Sequence, residues 1–125
     1  MTESSLKQLP THYQLDGVLD HDKHDYHVRV QYEDTDAGGI VYHAQYLAFA
    51  ERARSAWLRC LDIDHPRLLS EEKLGFVVRH VDIDFLQAAE LGDVLSVTSK
   101  FVKIGGARVT LQQTITNMHY CLIVA

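Results

Sequence analysis

Acidic residues and glycines come together in one short run of the sequence, Tyr32 to His43, which is YEDTDAGGIVYH. Asp34 and Asp36 stand two positions apart, and Gly38-Gly39 follows directly. A strand pattern precedes the run and an apolar-striped helical pattern follows it, so the acids should lie beside a helix N-terminus. A carboxylate next to unpaired backbone N–H groups is the arrangement that attack on an acyl carbonyl requires. The run therefore indicates a site for chemistry on an acyl group.

Asp36 is the candidate catalytic residue, acting as a nucleophile or as the general base that deprotonates a water molecule. The first backbone amides of a helix have no acceptor within that helix, so amides near Tyr42 and His43 would polarise a thioester or ester carbonyl. The alternative is that Asp34 and Asp36 are ordinary turn residues whose carboxylates bond nearby amides. Spacing alone favours the turn interpretation, because acids before Gly-Gly are common in loops.

Four further residues are candidates for a substrate pocket. His43 would contact substrate at the mouth of the site, although a histidine at a helix start is also a common capping residue. Glu51 would line the pocket, or else form a salt bridge with Arg54 or with a partner subunit. Tyr42 and Tyr46 are aromatic residues whose orientation would set the shape of the pocket.

The sequence has 125 residues, of which 46% are hydrophobic, and this suits one domain with a single core. Its formal net charge of −5 argues against nucleic-acid binding, because phosphate recognition requires a clustered basic surface. No apolar run reaches the ~18 residues that cross a membrane, and the first residues lack the apolar centre of a signal peptide. We therefore expect a cytoplasmic protein with Cys60 and Cys121 as free thiols.

Histidines recur at positions 21, 24 and 27 with acids between them, a pattern that raises the question of a metal site. A spacing of three suits one face of a helix, but this region lacks a helical apolar pattern. We therefore expect no physiological metal site from His21, His24 and His27.

Residues 1–25 are polar and are predicted to form an N-terminal extension before a domain of residues 26–125. Alternation of apolar and polar residues predicts a strand over Val28–Glu33. Apolar residues at spacings of three and four then predict a long helix over Ala44–Leu61, whose wide stripe should pack on a sheet. A turn and a short helix are predicted over 62–75. Further strands are predicted at Phe76–Phe85, Val94–Lys103, Arg108–Thr116 and Tyr120–Ala125, which completes an α+β layout.

The run from Tyr32 to His43, together with Tyr46-Leu47 and Glu51–Arg54, resembles the signature of hotdog-fold acyl-CoA thioesterases. Within that family it is most similar to the 4-hydroxybenzoyl-CoA thioesterase type, and there to bacterial members associated with the Tol–Pal cell-envelope system. The resemblance continues weakly through Phe76–Arg79 and spans roughly Val28–Asn117. Because the motif is long, it favours the catalytic interpretation of the aspartates.

This resemblance implies an antiparallel sheet wrapped around the long helix, in a homodimer or homotetramer. It implies hydrolysis of an acyl-CoA to a free acid and CoA, without a metal or cofactor. The family's catalytic acid corresponds to Asp36, and its carbonyl-polarising amide lies on or beside His43. We therefore expect Asp36 and His43 in the catalytic site, with Tyr42, Tyr46 and Glu51 binding substrate.

The C-terminal end departs from the family pattern, because only residues 117–125 follow the strand that ends near Thr116. The resemblance implies that the last strand is interior to the sheet. A short last strand would leave neighbouring backbone groups unpaired, each costing about 1–3 kcal/mol when buried. The alternative function is therefore a non-catalytic hotdog module that binds acyl-CoA or takes part in cell-envelope assembly.

Overall fold

The computed structural model describes residues 15–63, 66–67, 70, 76–117 and 121–124, the last four by their backbone alone. The elements in chain order are β1 (Val18–Asp20), β2 (Lys23–Arg29), a 3-10 helix (Tyr32–Asp34), α1 (Gln45–Cys60), β3 (Asp84–Phe85), β4 (Val94–Gly105), β5 (Arg108–Thr116) and β6 (Cys121–Val124). The strands form one antiparallel sheet in the order β1-β2-β4-β5-β6-β3. Helix α1 packs against this sheet, which confirms the predicted α+β layout.

Helix α1 begins and ends within one residue of the prediction. Its apolar stripe is buried at Tyr46, Phe49, Ala50, Ala53 and Trp57. Burial of this stripe drives the packing, at about 25 cal/mol for each Å² of apolar surface removed from water. Burial decreases at the C-terminal end of the stripe, where Cys60 is only partly buried and Leu61 is exposed.

The sheet meets this stripe with alternate residues of its central strands. Leu95 and Val97 of β4 and Ile115 of β5 are buried against the helix. Two buried polar side chains, Gln113 and Ser99, share their face. The Gln113 amide donates to the carbonyl oxygen of Ala50 and to the hydroxyl of Ser99, both at 3.0 Å. These bonds offset the cost of burying the amide and tie α1 to both strands.

The polar N-terminal region differs from the prediction of an irregular extension. Strand β1 lies inside it, and β2 begins at Lys23 rather than at Val28, while Val30 follows β2 and Tyr32 begins a 3-10 turn. The prediction missed these strands because the first residue that β2 turns inward is a histidine, His24, which is fully buried. Residues 1–14 lie outside the described residues, so where the domain begins stays a prediction.

The predicted strand at Phe76–Phe85 is wrong except for its last two residues, which form β3. Residues 76–83 belong to no strand, and Val77 is 83% exposed. The β3–β6 ladder described by the structure pairs Asp84 with Val124 and Phe85 with Ile123, and an alternating pattern forms a strand only where a partner strand supplies hydrogen bonds.

Strands β4 and β5 form the predicted hairpin, and their register shifts once, between Phe101 and Lys103. Strand β6 lies between β5 and β3, which is the interior position that the resemblance implied. Most of the turn and short helix predicted over 62–75 lies outside the described residues. Within the part of the chain that the structure describes, no helix is long and apolar enough to cross a membrane.

Candidate active site

The loop that carries Asp36 is a closed turn. Its ends meet in a bridge between Thr35 and Val41, and the Asp36 N–H donates to the Ile40 carbonyl oxygen at 2.9 Å. At the tip, the Gly39 N–H donates back to the Asp36 carbonyl oxygen at 3.1 Å. Gly39 has a φ of +80°, a backbone conformation that residues with a Cβ rarely adopt, so the sequence needs glycine there.

The Asp36 side chain is exposed and lies against its own loop. Its Oδ1 accepts a hydrogen bond from the Gly38 N–H at 2.8 Å, while no bond to Oδ2 is found within the described residues. This bond is the one that the turn interpretation predicts. It occupies one oxygen of the carboxylate and does not prevent a catalytic role. A surface concavity opens beside it, lined by Tyr32, Thr35, Asp36, Ala37, Gly39 and Leu91.

The segment between this loop and α1 supplies backbone amides. The Tyr42 N–H is already bonded to the Asp34 carbonyl oxygen at 3.0 Å, and the helix begins only at Gln45. The N–H groups of His43 and Ala44 have no acceptor within the described part of the chain. Of the amides predicted to polarise a carbonyl, those at and just after His43 are therefore available, and that of Tyr42 is not.

Aromatic side chains gather beside these amides. The His43 ring lies 4.6 Å from the ring of Tyr42 and 6.1 Å from that of Phe85, measured between centroids. Phe85 also contacts Tyr46, whose ring meets Phe49 edge-on. Tyr42 and Phe85 are each about half exposed, so this cluster presents an apolar surface next to the His43 amide.

Tyr46 and Glu51, both predicted to bind substrate, occupy different environments. Tyr46 is buried, and its hydroxyl accepts the Ala89 N–H at 3.0 Å; burial raises the pKa of this phenol. The whole residue is only 3% exposed, so its ring is covered as well as its hydroxyl. Glu51 faces solvent on α1, five residues and about 140° around the helix from Tyr46. The charge of Glu51 acts on Arg54. Burial lowers the pKa of Arg54, and the negative charge of Glu51 raises it in part.

Two residues at the site were not predicted. Phe85 is the last residue of the predicted strand Phe76–Phe85, and that prediction did not indicate its contact with His43. Leu91 lines the concavity beside Asp36 although 55 positions separate the two residues, so only the fold brings them together. The predicted histidines do not share a face: His21 and His27 are exposed, whereas His24 is buried. Among the described residues, no three potential ligands group around a metal position.

Comparison with known proteins identifies the family. Residues 38–119 match the family model described as the thioesterase superfamily. The chain belongs to the thioesterase superfamily. The resemblance predicted from the motif, to hotdog thioesterases of the 4-hydroxybenzoyl-CoA type, is confirmed, while the association with the Tol–Pal system stays a prediction. The match begins two residues after Asp36, so it does not itself test that residue.

Relatives in this superfamily include the acyl-CoA thioesterase YbgC of Haemophilus influenzae, 50% identical over 86 residues that cover 69% of this chain and 63% of that protein. The acyl-CoA thioester hydrolase YbgC of Escherichia coli O157:H7 is 41% identical over 96 residues, 77% of this chain and 71% of that protein. The chain thus spans less than two thirds of the Haemophilus relative.

Solved structures agree with the fold. A probable thioesterase from Bartonella henselae superposes with a TM-score of 0.76 at 37% identity, covering 82% of this chain and 85% of that one. The 4-hydroxybenzoyl-CoA thioesterase of Pseudomonas sp. strain CBS-3 gives a TM-score of 0.75 at 14% identity, over 82% and 79% of the two chains. The second likeness shows the fold alone, and both place this superfamily member in the hotdog fold.

Proposed function

We propose that this protein is an acyl-CoA thioesterase in which Asp36 acts as nucleophile or general base and backbone amides near His43 polarise the thioester carbonyl. The observation that carries the proposal is an exposed carboxylate in a closed loop, followed by N–H groups without acceptors in the short segment that joins this loop to α1. The names of the YbgC relatives support the substrate class. By the same resemblance, the working form is a cytoplasmic homodimer or homotetramer associated with the Tol–Pal system.

The reaction joins the oxygen of a water molecule to the acyl carbon and breaks the carbon–sulfur bond. As general base, Asp36 takes a proton from the attacking water, and the negative charge that develops on the carbonyl oxygen is stabilised by the His43 and Ala44 N–H groups. The dipole of α1 adds to this stabilisation because its positive end lies at the same place. Collapse of the intermediate releases the thiolate of CoA, which gains the proton, and leaves the free acid.

As nucleophile, Asp36 would instead form a mixed anhydride with the acyl group and expel the thiolate, and water would then hydrolyse the anhydride. Tyr42 and Phe85 would contact the acyl group in either route, since their half-exposed rings form the apolar surface beside His43, and Tyr46 would take part through its ring, which is buried against Phe85. Glu51 lies off this surface, so its proposed part in substrate binding requires a contact outside the aromatic cluster.

The test is hydrolysis of short, long and aromatic acyl-CoAs by the wild type and by Asp36→Asn. We expect kcat to fall by about 10²- to 10⁴-fold in the variant, the usual contribution of a positioned acid or base. Glu33→Gln is the matched control, because Glu33 is an exposed acid three residues away in the same segment and should keep wild-type turnover. Full activity in Asp36→Asn would contradict the proposed role.

A second candidate is the non-catalytic module that binds acyl-CoA or an envelope component. The Asx turn between Asp36 and the Gly38 N–H favours it, because one carboxylate oxygen is already occupied. Titration calorimetry with acyl-CoA separates the two functions. Binding without turnover in a folded wild type would support the module.

A further inference from the structure

The first aspartate of the motif is placed quite differently from the second. Asp34 is 2% exposed, and both of its carboxylate oxygens accept hydrogen bonds. Oδ2 accepts the Gln31 N–H at 2.8 Å and Oδ1 accepts the side-chain amide of Gln45 at 2.9 Å. A buried carboxylate is costly unless its oxygens are satisfied, so these two neutral donors explain how Asp34 is tolerated.

These contacts connect three successive parts of the chain. Gln31 follows β2, Asp34 ends the 3-10 turn, and Gln45 is the first residue of α1. The carbonyl oxygen of Asp34 also accepts the Tyr42 N–H. One residue thus fixes the exit from the strand, the base of the Asp36 loop and the start of the helix.

The amides without acceptors lie between the two points that Asp34 holds. Tyr42 is bonded to its carbonyl oxygen, Gln45 is bonded to its carboxylate, and only His43 and Ala44 stand between them. Asp36 follows Asp34 by two residues in the closed loop. Both halves of the proposed site are therefore tied to the same side chain and its own backbone.

We propose that Asp34 is a positioning residue for thioester hydrolysis, which holds the Asp36 carboxylate and the His43 and Ala44 amides at a fixed separation across the substrate carbonyl. The inference rests on the proposed function. Its physical basis is that a displacement of about 1 Å between reacting groups costs on the order of 10²-fold in rate. Asp34 itself is buried and does not touch the substrate.

The Asp34–Gln45 bond can be broken in one variant and rebuilt in a double variant whose pair has the same total charge as in the wild type. Gln45→Glu places a second carboxylate against Asp34, and like charges at that distance repel. Adding Asp34→Asn restores one donor and one acceptor with the polarity reversed, because the new amide donates to the new carboxylate. Asp34→Asn alone is less informative, since the Gln45 amide can rotate to present its oxygen instead.

We expect Gln45→Glu to lower kcat by about 10- to 100-fold with KM within about threefold, and the double variant to recover most of that loss. Gln87→Glu, the same chemical change at an exposed described position, is the control for added charge and should match the wild type. The backbone amide signals of His43 and Ala44, followed by NMR, should shift in Gln45→Glu and return in the double variant.

Three outcomes would overturn the inference while the wild type is active and Asp36→Asn is not. One is an unchanged kcat in Gln45→Glu, the second is a loss that the double variant does not recover, and the third is a fall in kcat accounted for by unfolding at the assay temperature. Absence of hydrolysis by the wild type, or full activity in Asp36→Asn, would instead overturn the proposed function.

Discussion

Both ends of helix α1 are held by a buried aspartate from the preceding chain, yet the two ends differ in what they leave unsatisfied. At the start, Asp34 holds Gln45 while the neighbouring His43 amide has no acceptor among the described residues. At the end, the carboxylate of Asp16 accepts the Arg59 Nε–H at 2.7 Å.

The carbonyl oxygen of Asp16 is equally engaged. It accepts the His24 Nε2–H at 2.6 Å and the Cys60 thiol at 3.4 Å. Trp57 closes the same end, with its ring 4.3 Å from that of Phe101 and 6.2 Å from that of His24. Burial raises the pKa of the Cys60 thiol, as expected for an inert structural cysteine, and Cys60 is free as predicted.

The difference shows how one helix serves two purposes. Its last turn places Arg59 where a positive charge stabilises the helix dipole, and the carboxylate and carbonyl oxygens of Asp16 there are used within the protein. Its first turn presents N–H groups and a nearby exposed carboxylate that a ligand can use. We therefore expect changes at the end to alter stability and changes at the start to alter turnover.

The largest expected effect on stability is at the C-terminal end of α1, where Trp57 is buried. Trp57→Ala removes a side chain that is 3% exposed and should lower the free energy of unfolding by about 3–5 kcal/mol, the usual cost of such a cavity. Urea denaturation measures this loss. Leu47→Ala, at a half-exposed position near the other end, should cost less than about 1 kcal/mol. Equal losses at the two positions would contradict the assigned difference.

A smaller effect is expected when the ion pair at this end is removed. Asp16→Asn should lower the free energy of unfolding by about 1 kcal/mol, because Arg59 is half exposed and the pair is partly screened. Turnover should stay at the wild-type level, the reverse of Asp36→Asn, which should lose turnover and keep its stability within about 0.5 kcal/mol. Asp22→Asn, an exposed acid in the β1–β2 turn, is the control. A lower kcat in folded Asp16→Asn would contradict the expectation that this end of α1 affects stability and not turnover.

The smallest expected effect is a pH dependence of stability, which should arise at the C-terminal end of α1 alone. Burial lowers the pKa of His24 from 6.5, and its bond to Asp16 and the charges of Asp25 and Asp16 raise it in part. The unfolded chain therefore takes up the proton first as pH falls, so stability decreases with falling pH below the unfolded pKa until the folded pKa is passed. Nδ1 of His24 has no partner in the described part of the chain, so protonation would leave a donor unsatisfied.

Melting temperatures between about pH 7.5 and 5.5 measure this dependence. His24→Gln should be less stable than the wild type but should lose less of its stability as pH falls. His27→Gln changes an exposed histidine of the same strand and should keep the wild-type slope. A slope in His24→Gln as steep as that of the wild type would show that another group is responsible.

Sequence patterns predicted the parts of the fold that depend on local periodicity. The stripe of α1 and the alternation in β5 each need only neighbouring residues, and their predicted bounds agree with the structure. The motif also placed Asp36 in a glycine-containing loop before a helix, and it identified the family. Its catalytic role, with those of His43 and the substrate-binding residues, stays a prediction.

Long-range partners decided the rest. A polar segment became β1 and β2 because His24 finds an acceptor in Asp16 and a stacking surface in Trp57, and neither contact is visible in alternation. The alternating segment before β3 did not form a longer strand, because a strand requires a neighbouring strand as its hydrogen-bond partner.

The same contrast applies to the site. The sequence predicted Asp36 as the catalytic acid, but it did not predict how Asp34 is used. Only the tertiary structure shows how their environments differ, because it buries Asp34 against Gln45, eleven positions away, and leaves Asp36 open beside Leu91. Residue type and spacing therefore determined the chemistry that we propose for the chain, while packing decided which carboxylate is exposed, since burial and hydrogen-bond partners are set by contacts distant in sequence.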